Sequence, residues 1–202
     1  MCTDVIHKKT KQTHHNKMFK TYKTMKVVSF DPGMTNLGFC VLDWRAADHS
    51  FALLDWGLKD LGSTRTEEAV ESLVAWFNES FQCVDLMVLE TQYNNPKMMA
   101  LSHALQALGV CQGAKVVFVS SAAKFKWWKK QDGFKLPPPP KSARSTTKNN
   151  AIFITRSLIP ADVDTGFFQT IPTKKQEHYA DCLGNALAYL ATTENVLYVT
   201  SH

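Results

Sequence analysis

The chain has 202 residues, of which 45% are hydrophobic and 20% are charged, and its formal net charge is +5 at pH 7. This length allows one domain with a sizeable core, and two full domains would be cramped. The longest apolar runs are far shorter than a membrane span, so the composition predicts a soluble globular protein with no membrane partner.

The cysteine pattern indicates where the protein works. Five cysteines are an odd number, and no two of them have the spacing of a paired motif. They favour reduced thiols over a disulfide framework or a zinc site. We therefore expect an intracellular, reducing compartment.

The basic residues are concentrated in two segments, residues 1–26 and 124–148. Together these segments hold 15 of the 23 basic residues and 2 of the 18 acidic ones. The rest of the chain is therefore net acidic. This pattern suits a protein that binds a polyanion with its loops and keeps carboxylates for a metal site, although solvated surface lysines would give the same pattern.

The predicted elements begin after a polar tail. Residues 1–25 are rich in Lys and His, which predicts a disordered basic tail, and Met1, Met18 and Met25 all remain candidate start residues. The stretch KVVSFDPGMTNLGFCVLD, residues 26–43, then predicts a hairpin whose first strand ends at Asp31. An Asp that merely opens an Asp-Pro-Gly turn is the ordinary alternative. Residues 50–58 predict a third strand.

The middle of the chain alternates helices with buried strands. Residues 66–81 have helical periodicity, and residues 84–89 form an apolar run with Glu90 at its end. Asn95 and Pro96 predict the start of a helix that continues to about residue 110. Residues 115–119 predict a further buried strand.

The last third of the chain combines basic loops with two helices. Ser120 and Ser121 are candidate caps of a short helix that carries Lys124. A basic, Pro-rich loop is predicted at about residues 129–145, because proline continues neither a helix nor a sheet interior. Helices are predicted at about 145–158 and 176–190. The single folded domain is predicted at 26–195 and a C-terminal tail at 196–202.

These elements predict an α/β fold of the RNase H-like type. Three antiparallel strands are followed by two parallel ones, so we expect a mixed five-stranded sheet flanked by helices. Asp31 and Glu90 end neighbouring strands, while His178 and Asp181 share one face of the last helix. Each residue alone has an ordinary structural explanation, but four converging groups predict a site for Mg²⁺ or Mn²⁺.

Three motifs in this order resemble those of the RuvC-type Holliday-junction resolvases, in particular the poxviral and large-DNA-virus branch. FDPGMTNLGFCVLD resembles the first motif, with Asp31 as its acid, and VLETQY resembles the second, with Glu90 and the aromatic Tyr93. HYADCLGNAL resembles the last-helix motif, but His178 stands at the first acidic position. Some bacterial members share this departure, and Glu177 is an alternative source of the missing carboxylate.

The resemblance implies a homodimer that binds four-way DNA junctions and cuts two opposing strands near the crossover. Two Mg²⁺ or Mn²⁺ ions about 4 Å apart would serve phosphodiester hydrolysis, and no small-molecule substrate is expected. The implied metal ligands, which are also catalytic, are Asp31, Glu90, His178 and Asp181. Two lysines are implied as further catalytic groups: Lys124 in SSAAK and Lys148 in TTKNNAI. If the protein is viral, the host cytoplasm or nucleus, at the site of viral DNA replication, is its expected location.

We expect further DNA contacts from Tyr93, stacking on an unpaired base, and from a group of basic residues: Lys126, Lys129, Lys130, Lys141 and Arg144. Trp127 and Trp128 lie among these lysines, and their pattern fits either DNA contacts or core positions.

Three other functions are compatible with parts of the pattern. A similar hairpin opens the ATPases of the actin and sugar-kinase group, but those need two such halves and more residues. A junction-binding protein without catalysis would explain His178. Another RNase H-like nuclease acting on branched DNA would use the same metal chemistry.

Overall fold

The computed structural model of the chain describes residues 24–130, 143–159 and 170–193. The predicted tails lie outside these residues, apart from the last two positions of the N-terminal one, and so do residues 131–142 of the predicted loop. The strands are β1 (Thr24–Asp31), β2 (Leu37–Arg45), β3 (Ser50–Lys59), β4 (Leu86–Glu90) and β5 (Lys115–Val119). The helices are α1 (Thr66–Ser80), α2 (Pro96–Cys111), α3 (Ala123–Trp128), α4 (Ala143–Leu158) and α5 (Thr173–Thr193).

The strands form one five-stranded sheet in the order β3-β2-β1-β4-β5. β1, β2 and β3 pair antiparallel, while β4 pairs parallel with both β1 and β5. The predicted mixed sheet of three antiparallel and two parallel strands is therefore confirmed.

Each face of the sheet carries its own hydrophobic core. Because side chains alternate along a strand, β1 sends Val28 and Phe30 to the face covered by α1 and α2, and Val27 to the opposite face. That opposite face is covered by α3, α4 and α5. The central strands are thus buried on both sides, as their near-continuous apolar runs require.

The short helix α3 is anchored in this second core. Trp127 and Trp128 are buried, with 5% and 2% of their surface exposed. Their rings also stack edge to face at 5.5 Å. Of the two interpretations left open by the sequence, the core position is correct for both tryptophans.

One predicted helix start is confirmed, and several other predicted boundaries differ from those observed. Asn95 caps α2 as predicted, since its Oδ1 accepts hydrogen bonds from the backbone N–H of Lys97 and Met98. The prediction that Ser120 and Ser121 cap α3 is wrong, because Ala122 is its N-cap residue and no side chain caps it. The helix α4 begins two residues earlier than predicted, and α5 extends three residues further than predicted at each end. Tertiary packing of an amphipathic face extends helices beyond the point at which local sequence signals stop.

No helix within the described residues is both long and apolar enough to cross a membrane.

Candidate active site

Asp31 and Glu90 lie side by side where β1 and β4 end. Phe30 pairs with Leu89 in the parallel register of these strands, so the next residue of each strand is one of the two acids. Strand alternation places Asp31 on the same face as Val27, and Glu90 on the same face as Leu86 and Val88. Both carboxylates therefore belong to the face that α5 covers.

The helix α5 brings its own polar groups over these strand ends. His178, Asp181 and Asn185 follow one another at spacings of three and four residues, which places them on one helix face. The approach depends on Gly38 in β2. A Cβ atom there would lie 2.8 Å from Cys182 Sγ and 2.9 Å from the backbone oxygen of His178. Glycine thus allows the helix to lie close to the strand beside the site.

His178, at the first acidic position of the last-helix motif, contacts Asp31. Its Nδ1 lies 2.9 Å from Asp31 Oδ2, within hydrogen-bond distance. Its Nε2 lies 3.9 Å from Glu177 Oε1. Glu177 therefore adds a carboxylate on the far side of the imidazole from Asp31.

Lys124 projects from α3 between the two remaining carboxylates. Its Nζ lies 2.7 Å from Asp181 Oδ1 and 3.6 Å from Glu90 Oε2, and only 3% of the side chain is exposed. The stem passes over Gly184, where an added Cβ would lie 3.2 Å from Lys124 Cδ. The sequence predicted Lys124 near the acids, and the structure places it in direct contact with two of them.

Asn185 is the site residue that sequence reasoning missed. Its Nδ2 donates a 2.7 Å hydrogen bond to Glu90 Oε2, and the residue is fully buried. Within the described part of the chain, its Oδ1 is buried without a hydrogen-bond partner. The available signal was position, since Asn185 follows Asp181 by four residues and so shares its helix face.

Burial and mutual repulsion shape the charges of the site. Burial raises the pKa of Glu90, and the neighbouring Asp31 and Asp181 raise it further against the lowering effect of Lys124. Burial likewise raises the pKa of Asp181. The hydrogen bond to Asp31 raises the pKa of His178 although burial opposes it. Burial by itself lowers the pKa of Lys124, but Asp181 and Glu90 outweigh it and the pKa lies above its ordinary value.

These groups fit a hard divalent cation by their chemistry, although not as a preformed cage. Among the described residues, no three Asp, Glu, His or Cys side chains are already arranged as metal ligands. Asp31, Glu90 and Asp181 nevertheless offer carboxylate oxygens, the ligands that Mg²⁺ and Mn²⁺ prefer. Burial is the main cause of the raised pKa values of Glu90 and Asp181, and the neighbouring carboxylates add to it.

The predicted DNA-contacting residues lie around this cluster to different extents. Tyr93 is 70% exposed just beyond β4. Lys126 in α3 is exposed, and so are Lys129 and Lys130 directly after it. Arg144 and Lys148 lie in α4, but their side chains are outside the described residues, as is Lys141 altogether. Whether Lys148 reaches the acids stays a prediction.

Comparison with known proteins relates this arrangement to solved structures. No protein-family profile matches the sequence, and no curated protein sequence matches it. The fowlpox virus resolvase, solved in complex with substrate Holliday junction DNA, is similar with a TM-score of 0.62 at 15% sequence identity. That similarity covers 84% of this chain and 99% of the resolvase.

A second solved protein gives the same result. Thermus thermophilus RuvC is similar with a TM-score of 0.61 at 17% identity, over 85% of this chain and 97% of RuvC. This chain has the RuvC-type resolvase fold. In its complex with a Holliday junction substrate, RuvC has a TM-score of 0.57 at 16% identity, over 84% of this chain and 96% of RuvC. The RNase H-like fold expected from the motifs is therefore confirmed over almost the whole length of these two solved proteins.

Proposed function

We propose that this protein is a structure-selective endonuclease that resolves four-way DNA junctions by paired, metal-dependent hydrolysis of phosphodiesters near the crossover. The observation that carries the proposal is the convergence of Asp31, Glu90 and Asp181 around Lys124 on the α5 face of a RuvC-type fold. A buried carboxylate cluster repels DNA phosphates, so it helps a DNA-binding protein only when cations are bound there.

Each described residue of the cluster has a role in this chemistry. Asp31, Glu90 and Asp181 would hold Mg²⁺ or Mn²⁺, with His178 as a further ligand or as the group that orients Asp31. Metal ions bound there would activate the attacking water and stabilise the leaving 3′ oxygen. The attacking water gives up a proton as its oxygen bonds to phosphorus, the bond from phosphorus to the 3′ oxygen breaks, and the 3′ oxygen takes up a proton. Asn185 fixes one oxygen of Glu90.

DNA would be held by positive charge and by stacking around the cluster. Lys129 and Lys130 are exposed beside α3, where they suit phosphate contacts together with Lys126, Lys141 and Arg144. Tyr93 is exposed three residues past Glu90, where its ring would stack on an unpaired base at the crossover. Lys124 and Lys148 would neutralise charge at the scissile phosphate.

Paired cutting requires two active sites, so we include a homodimer in the proposal. On α2, Met99 and Val110 are 37% and 60% exposed, and eleven residues of helix place them on the same face. Phe118 is 41% exposed on the same side of β5 as Val116, which packs under α2. Exposed apolar side chains of this kind suit an isologous contact between two copies.

The test compares nicking of three labelled DNAs: a four-way junction, a Y-fork and a linear duplex, each with Mg²⁺ and with EDTA. Mg²⁺-dependent, symmetric cuts in opposing strands of the junction alone are expected. Junction binding without any cut would instead indicate a binding protein, and equal cutting of all three DNAs would indicate an unselective RNase H-like nuclease. Light scattering of the DNA-free protein should give the mass of a dimer.

A further inference from the structure

Lys124 is the most deeply buried charged side chain of the site. Lysine is almost never fully buried unless its ammonium is paired, and Lys124 pairs with two carboxylates at once. Its positive charge opposes the mutual repulsion of Glu90 and Asp181 and lowers the pKa of both.

The surrounding structure holds Lys124 in this position. Trp127 and Trp128 fix α3 in the core, so the backbone that carries Lys124 has little freedom. Its stem lies on Gly184, where any larger residue would crowd Cδ at 3.2 Å and Cβ at 3.4 Å. The contact with the carboxylates is thus a product of packing and is not the chance pairing of a flexible surface side chain.

A divalent ion would use the same two carboxylates. Asp181 Oδ1 and Glu90 Oε2 lie 2.7 Å and 3.6 Å from the Lys124 ammonium, and they belong to side chains that would hold the metal. Two cations that share these oxygens repel each other strongly in a buried site. The Lys124 ammonium and the metal ion would therefore compete for the same two carboxylates.

Resting on the nuclease function proposed above, we propose that Lys124 is an internal cation that holds Glu90 and Asp181 together while the site is free of metal, and that metal binding displaces its ammonium from these oxygens. Lys124 thereby weakens metal binding, and its displaced ammonium becomes available to a DNA phosphate. Metal and lysine are linked reciprocally, since whatever stabilises one on the carboxylates destabilises the other.

The test is Mn²⁺ binding to the DNA-free protein. Calorimetry and the electron paramagnetic resonance signal of free Mn²⁺ both measure the affinity. Lys124→Met keeps the length of the side chain and removes its charge. It should bind Mn²⁺ at least about fivefold more tightly than wild type, the lower end of common coupling between two ligands. Unchanged or weaker binding would overturn the proposal.

Lys115→Met is the matched control. It removes one lysine charge from β5 at the end opposite Val119, the residue that pairs with Glu90. Its Mn²⁺ affinity should equal that of wild type. An equal gain in both variants would mean that overall charge alone sets the affinity, and this too would contradict the proposal.

A second measurement uses the wild-type protein, so it does not depend on the folding of a variant. With ¹⁵N-labelled lysine in EDTA, the paired Lys124 ammonium should give a slowly exchanging NMR signal, because buried, hydrogen-bonded N–H groups exchange slowly. Saturating Mg²⁺ should shift or remove it. A signal that persists unchanged at saturation would show that the ammonium keeps its place and would refute displacement.

These outcomes are separate from those of the nuclease test. Wild-type protein that cuts junctions with Mg²⁺, while Lys124→Met gains no Mn²⁺ affinity, would remove the inference and leave the nuclease function standing. Loss of the nuclease function would instead be seen as absent cleavage by the wild-type protein.

Discussion

The three carboxylates of the site differ in their partners. Glu90 is held by Asn185 and Lys124, and Asp181 by Lys124, whereas the polar partner of the Asp31 carboxylate within the described residues is His178. Asn has nearly the same volume as Asp, so Asp31→Asn removes the charge with little change in packing. It is therefore the best position at which to separate chemistry from structure.

We predict that Asp31→Asn lowers the rate of junction cleavage at least about 100-fold, as when a charged group that stabilises the transition state is lost. Junction affinity in the absence of metal should be retained. Single-turnover cleavage and a gel-shift titration measure the two quantities. Cleavage close to the wild-type rate would remove Asp31 from the active site.

The role of Asn185 is to position Glu90, so its loss should affect chemistry through that carboxylate. Asn185→Ala leaves Glu90 Oε2 without its amide donor, and outer partners of metal-binding groups typically contribute about 10- to 100-fold in activity or metal affinity. We expect a loss of cleavage in this range and weaker Mn²⁺ binding.

Thr192→Ala is the control for Asn185. Among the described residues, its hydroxyl donates to the backbone oxygen of Ala188 in the same helix. Cleavage by this variant should match that of wild type. If both variants lose activity alike, the effect belongs to helix stability and not to the positioning of Glu90.

At the scale of elements, the site depends on how closely α5 lies to β2. Gly38→Ala would place a Cβ within 3 Å of both Cys182 Sγ and the His178 backbone oxygen. Because that oxygen belongs to the helix backbone, the helix must move. We expect a loss of about 1–3 kcal/mol in the free energy of unfolding, the range for overpacking, together with slower cleavage.

Urea unfolding measures this effect, and a double variant separates its two causes. Gly38→Ala with Cys182→Ala removes the sulfur contact and leaves the backbone contact. The double variant should therefore recover only part of the lost cleavage. Full recovery would show that the thiol alone, and not the helix position, makes glycine necessary.

At the scale of the whole molecule, the uneven charge distribution predicts an affinity for DNA that falls as the salt concentration rises. Replacing Lys129, Lys130 and Lys141 together by Ala should lower the slope of log affinity against log salt by roughly 2–3. Lys115→Ala, on the far end of β5, should change it little. A wild-type slope in the triple variant would exclude these lysines from phosphate contacts.

The charge of the site also makes the stability of the metal-free protein dependent on pH. The pKa values of Glu90, Asp181 and His178 are all raised in the folded protein. Such groups bind protons more tightly when folded, so stability falls as pH rises from the unfolded pKa through the folded one. The decline begins near pH 4 for the carboxyl groups and near pH 6.5 for His178.

Thermal unfolding in EDTA should accordingly give a melting temperature that falls between pH 5 and 8. In saturating Mg²⁺ the trend should weaken or reverse, because metal binding requires deprotonated ligands and becomes stronger as pH rises. A melting temperature that rises with pH in EDTA would show that these groups are not held as the structure describes.

Much of the fold and part of the site could be predicted from the sequence because those features are local. Alternation and apolar runs gave the strands, and strand ends gave Asp31 and Glu90, since a side chain's place on a strand follows from its neighbours in sequence. Helical spacing likewise put His178 and Asp181 on one face. The sheet order confirmed what these patterns predicted.

The remaining features depend on packing between segments far apart in the chain. Only the tertiary structure shows that Lys124 lies between Glu90 and Asp181, that Asn185 donates to Glu90 and that His178 contacts Asp31. It also decided that Trp127 and Trp128 belong to the core. The sequence by itself therefore determined which residues stand at strand ends and on helix faces. Which partners they meet was decided by the close approach of α3 and α5 to the sheet, because contacts between distant segments leave no periodic signal in either one.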